Sequence, residues 1–221
     1  MIVLDAVDKV YGQDRKPALD QVSLTFPDGE MTCLSGPAGA GKTTLLRLLA
    51  GMETPSRGTV TFNGQDISRL SGTARKGLRQ HVGWVSRPPF LVSYWNVEAN
   101  VAYPLRLSGV PESIITQRVR TAMQRTGLDT LRTRRAGTLT ISERQRLALA
   151  RAFVNRPGLL LADDPFFSLD DTESARLMEA LQLFSLAGIT VIFSASTAPF
   201  RVHPMREVRL QKGRVQQDAV T

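Results

Sequence analysis

A single cysteine, Cys33, leaves this 221-residue chain no internal disulfide to fold around. A chain of this length buries enough surface to hold a core without one. The thiol lies in Glu30-Met31-Thr32-Cys33-Leu34, which reads as a buried strand, so an inert core thiol is expected. No apolar run approaches the roughly 18 residues that a membrane-spanning helix needs. The opening Met1-Ile2-Val3-Leu4-Asp5 carries an acid early and has no basic region followed by an apolar stretch, so no signal peptide is expected. These absences together predict a cytosolic protein.

What is present is ordinary for a globular chain, with 42% hydrophobic and 22% charged residues. Lys plus Arg exceeds Asp plus Glu by 28 − 20, a net charge of +8. That balance favours anionic partners: nucleotides, nucleic acid or an anionic membrane face. The densest basic stretch holds Arg118, Arg120, Arg125, Arg132, Arg134 and Arg135. It contains no aromatic residue to stack on bases, and a solvated helical face is its expected role.

Along the chain, Val22, Leu24 and Phe26 alternate with polar residues, the period of a half-buried strand. Pro27-Asp28-Gly29 supplies a turn before a second strand at residues 31–34. Leu45, Leu46, Leu48 and Leu49 predict a buried helix closed by Gly51, and residues 59–62 a strand ended by Asn63-Gly64. From about 73 to 156 the spacing is helical apart from residues 82–85, which predicts a helical insertion. Strand character returns at 159–161, followed by a helix over 173–186, a strand over 189–193 and a hairpin at Lys212-Gly213. Strands alternating with helices predict a mostly parallel sheet covered on both faces. The expected arrangement is one domain, with residues 1–72 and 157–221 as the α/β core and 73–156 as the helical subdomain.

Gly36-Pro37-Ala38-Gly39-Ala40-Gly41-Lys42-Thr43 matches G-x-x-x-x-G-K-[ST], followed by Thr44. The glycines let successive backbone N–H groups turn toward a phosphate, and the following helix adds the positive end of its dipole. Lys42 can reach the β- and γ-phosphates, and the Thr43 hydroxyl can hold Mg²⁺. The loop lies between a predicted strand and a predicted helix, the setting such a loop requires. Leu159-Leu160-Leu161-Ala162-Asp163 supplies an acid at the end of a buried strand, placed to bind Mg²⁺ through water. The guanine-reading patterns Asn-Lys-x-Asp and Asp-x-x-Gly are missing, so ATP is the expected nucleotide.

With these two motifs in place, residues 1–215 resemble the ATP-binding subunits of ABC transporters. The resemblance implies a P-loop NTPase of ABC type, with an antiparallel N-terminal β-subdomain beside the parallel core and the helical insertion. Tyr11 matches the position where the family stacks an aromatic ring on adenine. Residues 139–151 (LTISERQRLALAR) occupy the signature segment, with Leu139, Thr140, Ile141, Ser142 and Glu143 at its tip. Ser168-Leu169-Asp170 matches the loop that crosses the family's dimer interface. Segments 17–24, 51–70, 96–109 and 152–171 are similar to the cell-division branch of the family, FtsE, which partners a membrane protein called FtsX.

Departures from the family pattern fall on catalytic positions. Asp164 stands where a glutamate polarises the attacking water. It is one methylene shorter, a displacement of about 1 Å that can cost roughly 10²-fold in rate. Arg87 matches the glutamine that senses the γ-phosphate and Mg²⁺; it cannot ligate a cation but can pair with a phosphate oxygen. Ser196 matches the switch histidine, while His81 and His203, the only histidines, fall elsewhere. Thr140, Ile141 and Ser142 replace Ser-Gly-Gly, which puts a branched side chain where backbone should meet phosphate. Ser142-Glu143-Arg144-Gln145 reads as a capping box for the following helix.

The resemblance therefore implies a subunit that holds Mg-ATP, hydrolyses it slowly or not at all, and docks on an integral membrane protein, FtsX-like or an ABC permease, at the inner face of the membrane. One alternative is an active ATPase with Asp164 as base, Arg87 steadying the γ-phosphate and Ser196 at the switch position. Another is a nucleic-acid-associated ABC-like ATPase, although nucleic acid is not the expected partner. Homodimer and heterodimer with another ABC subunit both stay open. Phe90, Tyr94 and Trp95 lie where the family receives its partner's coupling helix; packing of the helical subdomain accounts for them equally well.

Overall fold

In the computed structural model, residues 1–12, 16–197 and 205–220 are described; His203 lies outside them. Two sheets are present. The smaller, in the order β2-β1-β4-β5, is antiparallel and joins β1 (Ile2–Lys9), β2 (Leu19–Phe26), β4 (Arg57–Phe62) and β5 (Gln65–Asp66). Its β4–β5 turn is Asn63-Gly64, with φ of 49° and 78°, the left-handed pair that a two-residue hairpin demands.

The larger sheet runs β10-β9-β3-β8-β7-β6. Its parallel strands are β3 (Met31–Ser35), β6 (Val82–Val85), β7 (Leu159–Ala162), β8 (Thr190–Ser194) and β9 (Arg206–Gln211), with β10 (Arg214–Val220) closing it as an antiparallel edge. The strand over 82–85 lies within the helix-rich stretch but pairs with β7 in this core sheet. Buried residues of each central strand divide between two cores. Leu160 and Ala162, with Val191 and Phe193, face the helical side; Leu159, Leu161 and Ile192 face the antiparallel sheet and α1 (Lys42–Leu49). Period-two alternation inside an unbroken apolar run is what a sheet covered on both faces requires.

The helical side consists of α3 (Val97–Leu107), α4 (Glu112–Arg125), α5 (Ile141–Phe153) and α6 (Asp171–Leu186), while α2 (Gly72–Gln80) precedes β6. Phe153 of α5 stacks on Phe184 of α6 with ring centroids 4.2 Å apart, which ties the insertion to the core. Cys33 is fully buried, and burial pushes its thiol up to about 12; it is a core residue, as the sequence predicts.

One local expectation is corrected. The capping box of α5 is not Ser142 with Gln145 but Thr140 with Glu143. The Thr140 hydroxyl accepts from the Glu143 N–H at 3.2 Å, and the Thr140 N–H donates to Glu143 Oε2 at 2.7 Å. Both pairs fit the S/T-x-x-E/Q spacing. Ser142 is 5% exposed inside the helix, so only Thr140, with extended backbone at φ −64° and ψ 170°, can cap.

Candidate phosphate-binding site

Parallel register assembles the site. Leu34 of β3 is paired with Ser194 of β8, Phe193 with Ala162 of β7, and Ala162 with Val85 of β6. The residues just past these strand ends therefore come out side by side: Gly36 near Ser196, Asp163 beside Ser194, and Arg87 opposite Asp164. This carboxyl edge of a parallel sheet is where α/β folds gather ligands. A cavity of about 580 Å³ opens there, lined by the loop residues 38–44 together with Arg87, Asp163, Asp164, Ser194 and Ser196.

The glycine-rich loop is held closed by its own geometry. Gly36 has φ +141°, and a Cβ there would sit 2.1 Å from the Leu210 carbonyl oxygen. Gly41 caps α1 at φ 102° with no side-chain hydrogen bond, so the first N–H groups of that helix are left for a ligand. The Gly36 N–H donates to Ser196 O at 3.3 Å. Lys42 Nζ donates to Gly36 O at 2.6 Å and Pro37 O at 3.0 Å. Burial lowers the Lys42 ammonium below the ordinary lysine value, opposed by the charges of Asp164 and Asp163.

Thr43 Oγ1 donates to Asp163, lying 3.0 and 2.9 Å from its two carboxylate oxygens. Ser194 Oγ donates to Asp163 Oδ1 at 2.8 Å and accepts the Asp164 N–H at 2.9 Å. Sequence reasoning missed Ser194; its only signal is being the last residue of a central parallel strand. A hydroxyl and a carboxylate are hard oxygen donors that suit Mg²⁺, which takes one or two carboxylates and completes its shell with water and substrate phosphate. Thr43 and Asp163 fit that ion.

The facing wall is wired differently. Arg87 Nη1 bonds Asp164 Oδ2, and the guanidinium carbon stands 3.5 Å over the centroid of the Phe167 ring. Asp164 sits in left-handed backbone at φ 48°, which aspartate tolerates better than most residues. Ser196 lines the cavity, and its hydroxyl has no protein hydrogen-bond partner among the described residues. Phe167 is a second residue that sequence reasoning overlooked; nothing in the local pattern marks it.

Ile141 is 48% exposed and lines a second cavity with Arg87, Pro89, Arg144, Gln145 and Phe167. Buried Gln145 donates to the Phe167 carbonyl at 3.3 Å, which joins α5 to the loop holding Ser168 and Leu169. Asp170 caps α6, accepting the Glu173 N–H at 2.8 Å. Tyr11 donates its hydroxyl to Glu53 and lies 3.4 Å from the Thr44 hydroxyl, with Lys9 Nζ 5.0 Å from its ring centroid. Burial first, then the Glu53 bond, raises the Tyr11 phenol above its ordinary range.

Residues 19–167 match the ABC transporter family. The chain belongs to this family of ATP-binding cassettes. The cell division ATP-binding protein FtsE of Mycobacterium tuberculosis is 37% identical over 220 residues, 99% of this chain and 95% of that protein. FtsE of Escherichia coli K12 is 38% identical over 194 residues, 88% of this cassette and 87% of its own length. Among solved structures, a dimeric ATP-binding cassette in a post-hydrolysis state bound to ADP and Pi superposes with a TM-score of 0.90 at 25% identity, covering 100% of this cassette and 98% of that chain. The cbiO1 protein of Clostridium perfringens, part of the ABC transporter complex cbiONQ, gives 0.90 at 26%, with 99% and 87% covered. The cassette is thus FtsE-like in sequence and of ABC type in fold.

The basic stretch of residues 118–135 does not act as one surface. Arg132 pairs with Glu98 and Arg134 with Glu143, whereas Arg118 and Arg125 line a separate cavity with Arg156. Of the aromatic group, Phe90 and Tyr94 are 79% and 73% exposed, while Trp95 packs edge-on against Tyr103 at 5.2 Å. No described helix is long and apolar enough to cross a membrane.

Proposed function

We propose that this cassette is the ATP-binding subunit of an FtsE-like complex with an integral membrane protein, that it holds Mg-ATP through residues 36–44, and that hydrolysis is slow or lost. Occupancy, rather than turnover, then carries the signal. The observation behind the reading is the contrast inside one cavity: Lys42, Thr43 and Asp163 are set for a metal–phosphate group, while the carboxylate of Asp164 is bound to a guanidinium. A base must present a carboxylate oxygen to water within hydrogen-bond reach, and Arg87 takes up one of the two, Oδ2.

In this reading the α1 N-terminus and loop N–H groups take the β-phosphate, and Lys42 bridges to the γ-phosphate. Mg²⁺, when bound, neutralises charge on the phosphate oxygens. Thr43 and Asp163 hold it, and Ser194 orients Asp163. Tyr11 supplies the ring for adenine, its hydroxyl fixed by Glu53. Residues 139–143 and 168–170 face a second ABC subunit, identical or different, with Ile141 reducing the backbone contact to that subunit's phosphate. The membrane partner, FtsX-like or an ABC permease, holds the subunit at the inner face of the membrane, with Phe90 and Tyr94 available to it.

Calorimetry with Mg-ATP and a turnover assay, on the parent and on Lys42→Ala, test this. Tight binding lost in the variant, with no Lys42-dependent turnover, is expected. The second reading, a working ATPase with Asp164 as base, is favoured by the position of Asp164 on the cavity wall; it requires Asp164→Asn to abolish a measurable rate.

A further inference from the structure

A further cavity, of about 380 Å³, lies at the opposite end of β7 and β8 from the phosphate cavity. The two strands begin beside it, just after Pro157 and Ile189, and end at Asp163 and Ser194. Arg118 and Arg125 of α4 line it, together with Arg156, which follows α5. Buried Phe153, Val154 and Ile189 supply an apolar lining, and no acidic residue is among the lining residues. None of the three guanidinium groups has a hydrogen bond or ion pair to protein among the described residues. Arg125 stands over the Phe153 ring, 5.2 Å from its centroid. Farther along the same basic stretch, by contrast, Arg132 and Arg134 are paired with Glu98 and Glu143.

We propose that this cavity binds a small organic phosphate, a phosphomonoester on an apolar or ring-bearing body, with the three arginines on the phosphate and Phe153, Val154 and Ile189 against the body. The site is separate from the loop over residues 36–44, so it stands or falls independently of the nucleotide reading.

Three features carry the assignment. Arg118 and Arg125 are two helical turns apart on α4, which sets both on one face. Arg156 sits in left-handed backbone at φ 54°, where its N–H closes α5 on the Phe153 carbonyl at 2.8 Å. Glycine or asparagine takes such a helix-ending position at less cost. Strain held at an exposed arginine points to a ligand rather than to packing. Finally, three like charges around one hollow repel each other, and an anion between them reverses the sign of that energy. A phosphomonoester carries about −1.5 to −2 at neutral pH, and its oxygens match the guanidinium fork. The cavity falls within the roughly 300–1,000 Å³ of small-molecule sites.

The plainer account is that these arginines only offset the negative ends of α4 and α5. The carbonyls at those ends have other donors. Arg146 Nη1 donates to the Thr126 and Gly127 carbonyls at 3.3 and 2.8 Å, and the Val154 N–H to the Ala150 carbonyl at 3.0 Å. The two accounts part at Arg156→Asn, read by calorimetry with phenyl phosphate as the probe. Asparagine suits left-handed backbone, so the melting temperature should hold or rise. The phosphate site predicts that affinity falls about tenfold or more, as for loss of a charge-assisted contact. Unchanged affinity overturns it.

The titrations are run with the non-hydrolysable Mg-AMP-PNP filling residues 36–44, which leaves phenyl phosphate the arginine cavity. One phenyl phosphate per chain is expected, bound more tightly than inorganic phosphate because of the apolar lining. Arg118→Gln/Arg125→Gln should lower affinity about tenfold or more, while Arg120→Gln/Arg135→Gln, the same charge change outside the cavity, should leave it unchanged. Equal losses in the two double variants, or no binding to the parent, overturn the proposal. Vesicles of phosphatidic acid in phosphatidylcholine then separate two sources of the phosphate. Capture of the parent but not of Arg118→Gln/Arg125→Gln assigns it to a lipid; no capture, with phenyl phosphate bound in solution, assigns it to a soluble ester. Failure of the parent to bind AMP-PNP overturns the nucleotide reading alone, and the same variants, titrated without nucleotide, still decide this site.

Discussion

The two walls of the 580 Å³ cavity are built on different principles. On one, the loop over residues 36–44 presents backbone: positive-φ glycines, a helix N-terminus and a lysine folded onto loop carbonyls. Asp163 beside it is fixed from two sides by Thr43 and Ser194. On the other, Arg87, Asp164 and Ser196 present single side chains, and two of these satisfy each other. A backbone cradle depends on where glycine falls in the chain, so it persists while side chains around it change. A reacting wall depends on the identity of each residue and can be rewired one substitution at a time. On the proposed reading, binding and reaction are separable within one fold.

The largest expected effect that sharpens this contrast is Gly36→Ala. The added Cβ would meet the Leu210 carbonyl oxygen at 2.1 Å in a backbone at φ +141°, strain worth at least about 1–3 kcal/mol. Nucleotide binding should vanish and the melting temperature fall; calorimetry and thermal denaturation report both. Next is Lys42→Ala, expected to weaken Mg-ATP binding roughly 10- to 100-fold, as for loss of hydrogen bonds to a charged group. Asp164→Asn on the facing wall should leave ADP affinity within about threefold by the same scale. An equally large loss of ADP binding there would break the distinction between the walls.

Thr140→Ala should be milder, removing the capping box at about 1 kcal/mol and lowering the melting temperature by about 2–4 °C for a chain of this size. ATP affinity of the isolated subunit should hold. The smallest effect is on pH dependence. Burial lowers the Lys42 pKa, so the ammonium that pairs with phosphate is lost before the ordinary lysine value of 10.5 is reached. Affinity should be level at neutral pH and decline on the alkaline side, with proton uptake on binding there, measurable by calorimetry in buffers of different ionisation enthalpy.

The binding wall was legible in the sequence because its requirements are contiguous: glycine spacing, a lysine and a hydroxyl in one short run, and an acid ending one apolar run. The strand end at Asn63-Gly64 and the hairpin at Lys212-Gly213 were legible for the same reason. The facing wall was not. Arg87 and Asp164 are 77 residues apart and meet only because β6 and β7 run parallel with Val85 against Ala162; pattern reading ties neither strand to the other. Likewise the α5 cap offers two overlapping matches, and burial of Ser142 chooses between them. Gln145, freed from the capping role, holds the Phe167 carbonyl instead, a contact with no signature in the sequence.

The central claim is that the cassette binds Mg-ATP and leaves it intact. A single-turnover measurement tests it most directly: protein in excess over labelled ATP, with Mg²⁺, sampled over minutes and compared with Lys42→Ala. The account predicts that the parent retains the label on the protein as ATP while the variant retains far less. Conversion to ADP within seconds in the parent, near the roughly 10 s⁻¹ typical of enzymes and dependent on Lys42, would contradict it.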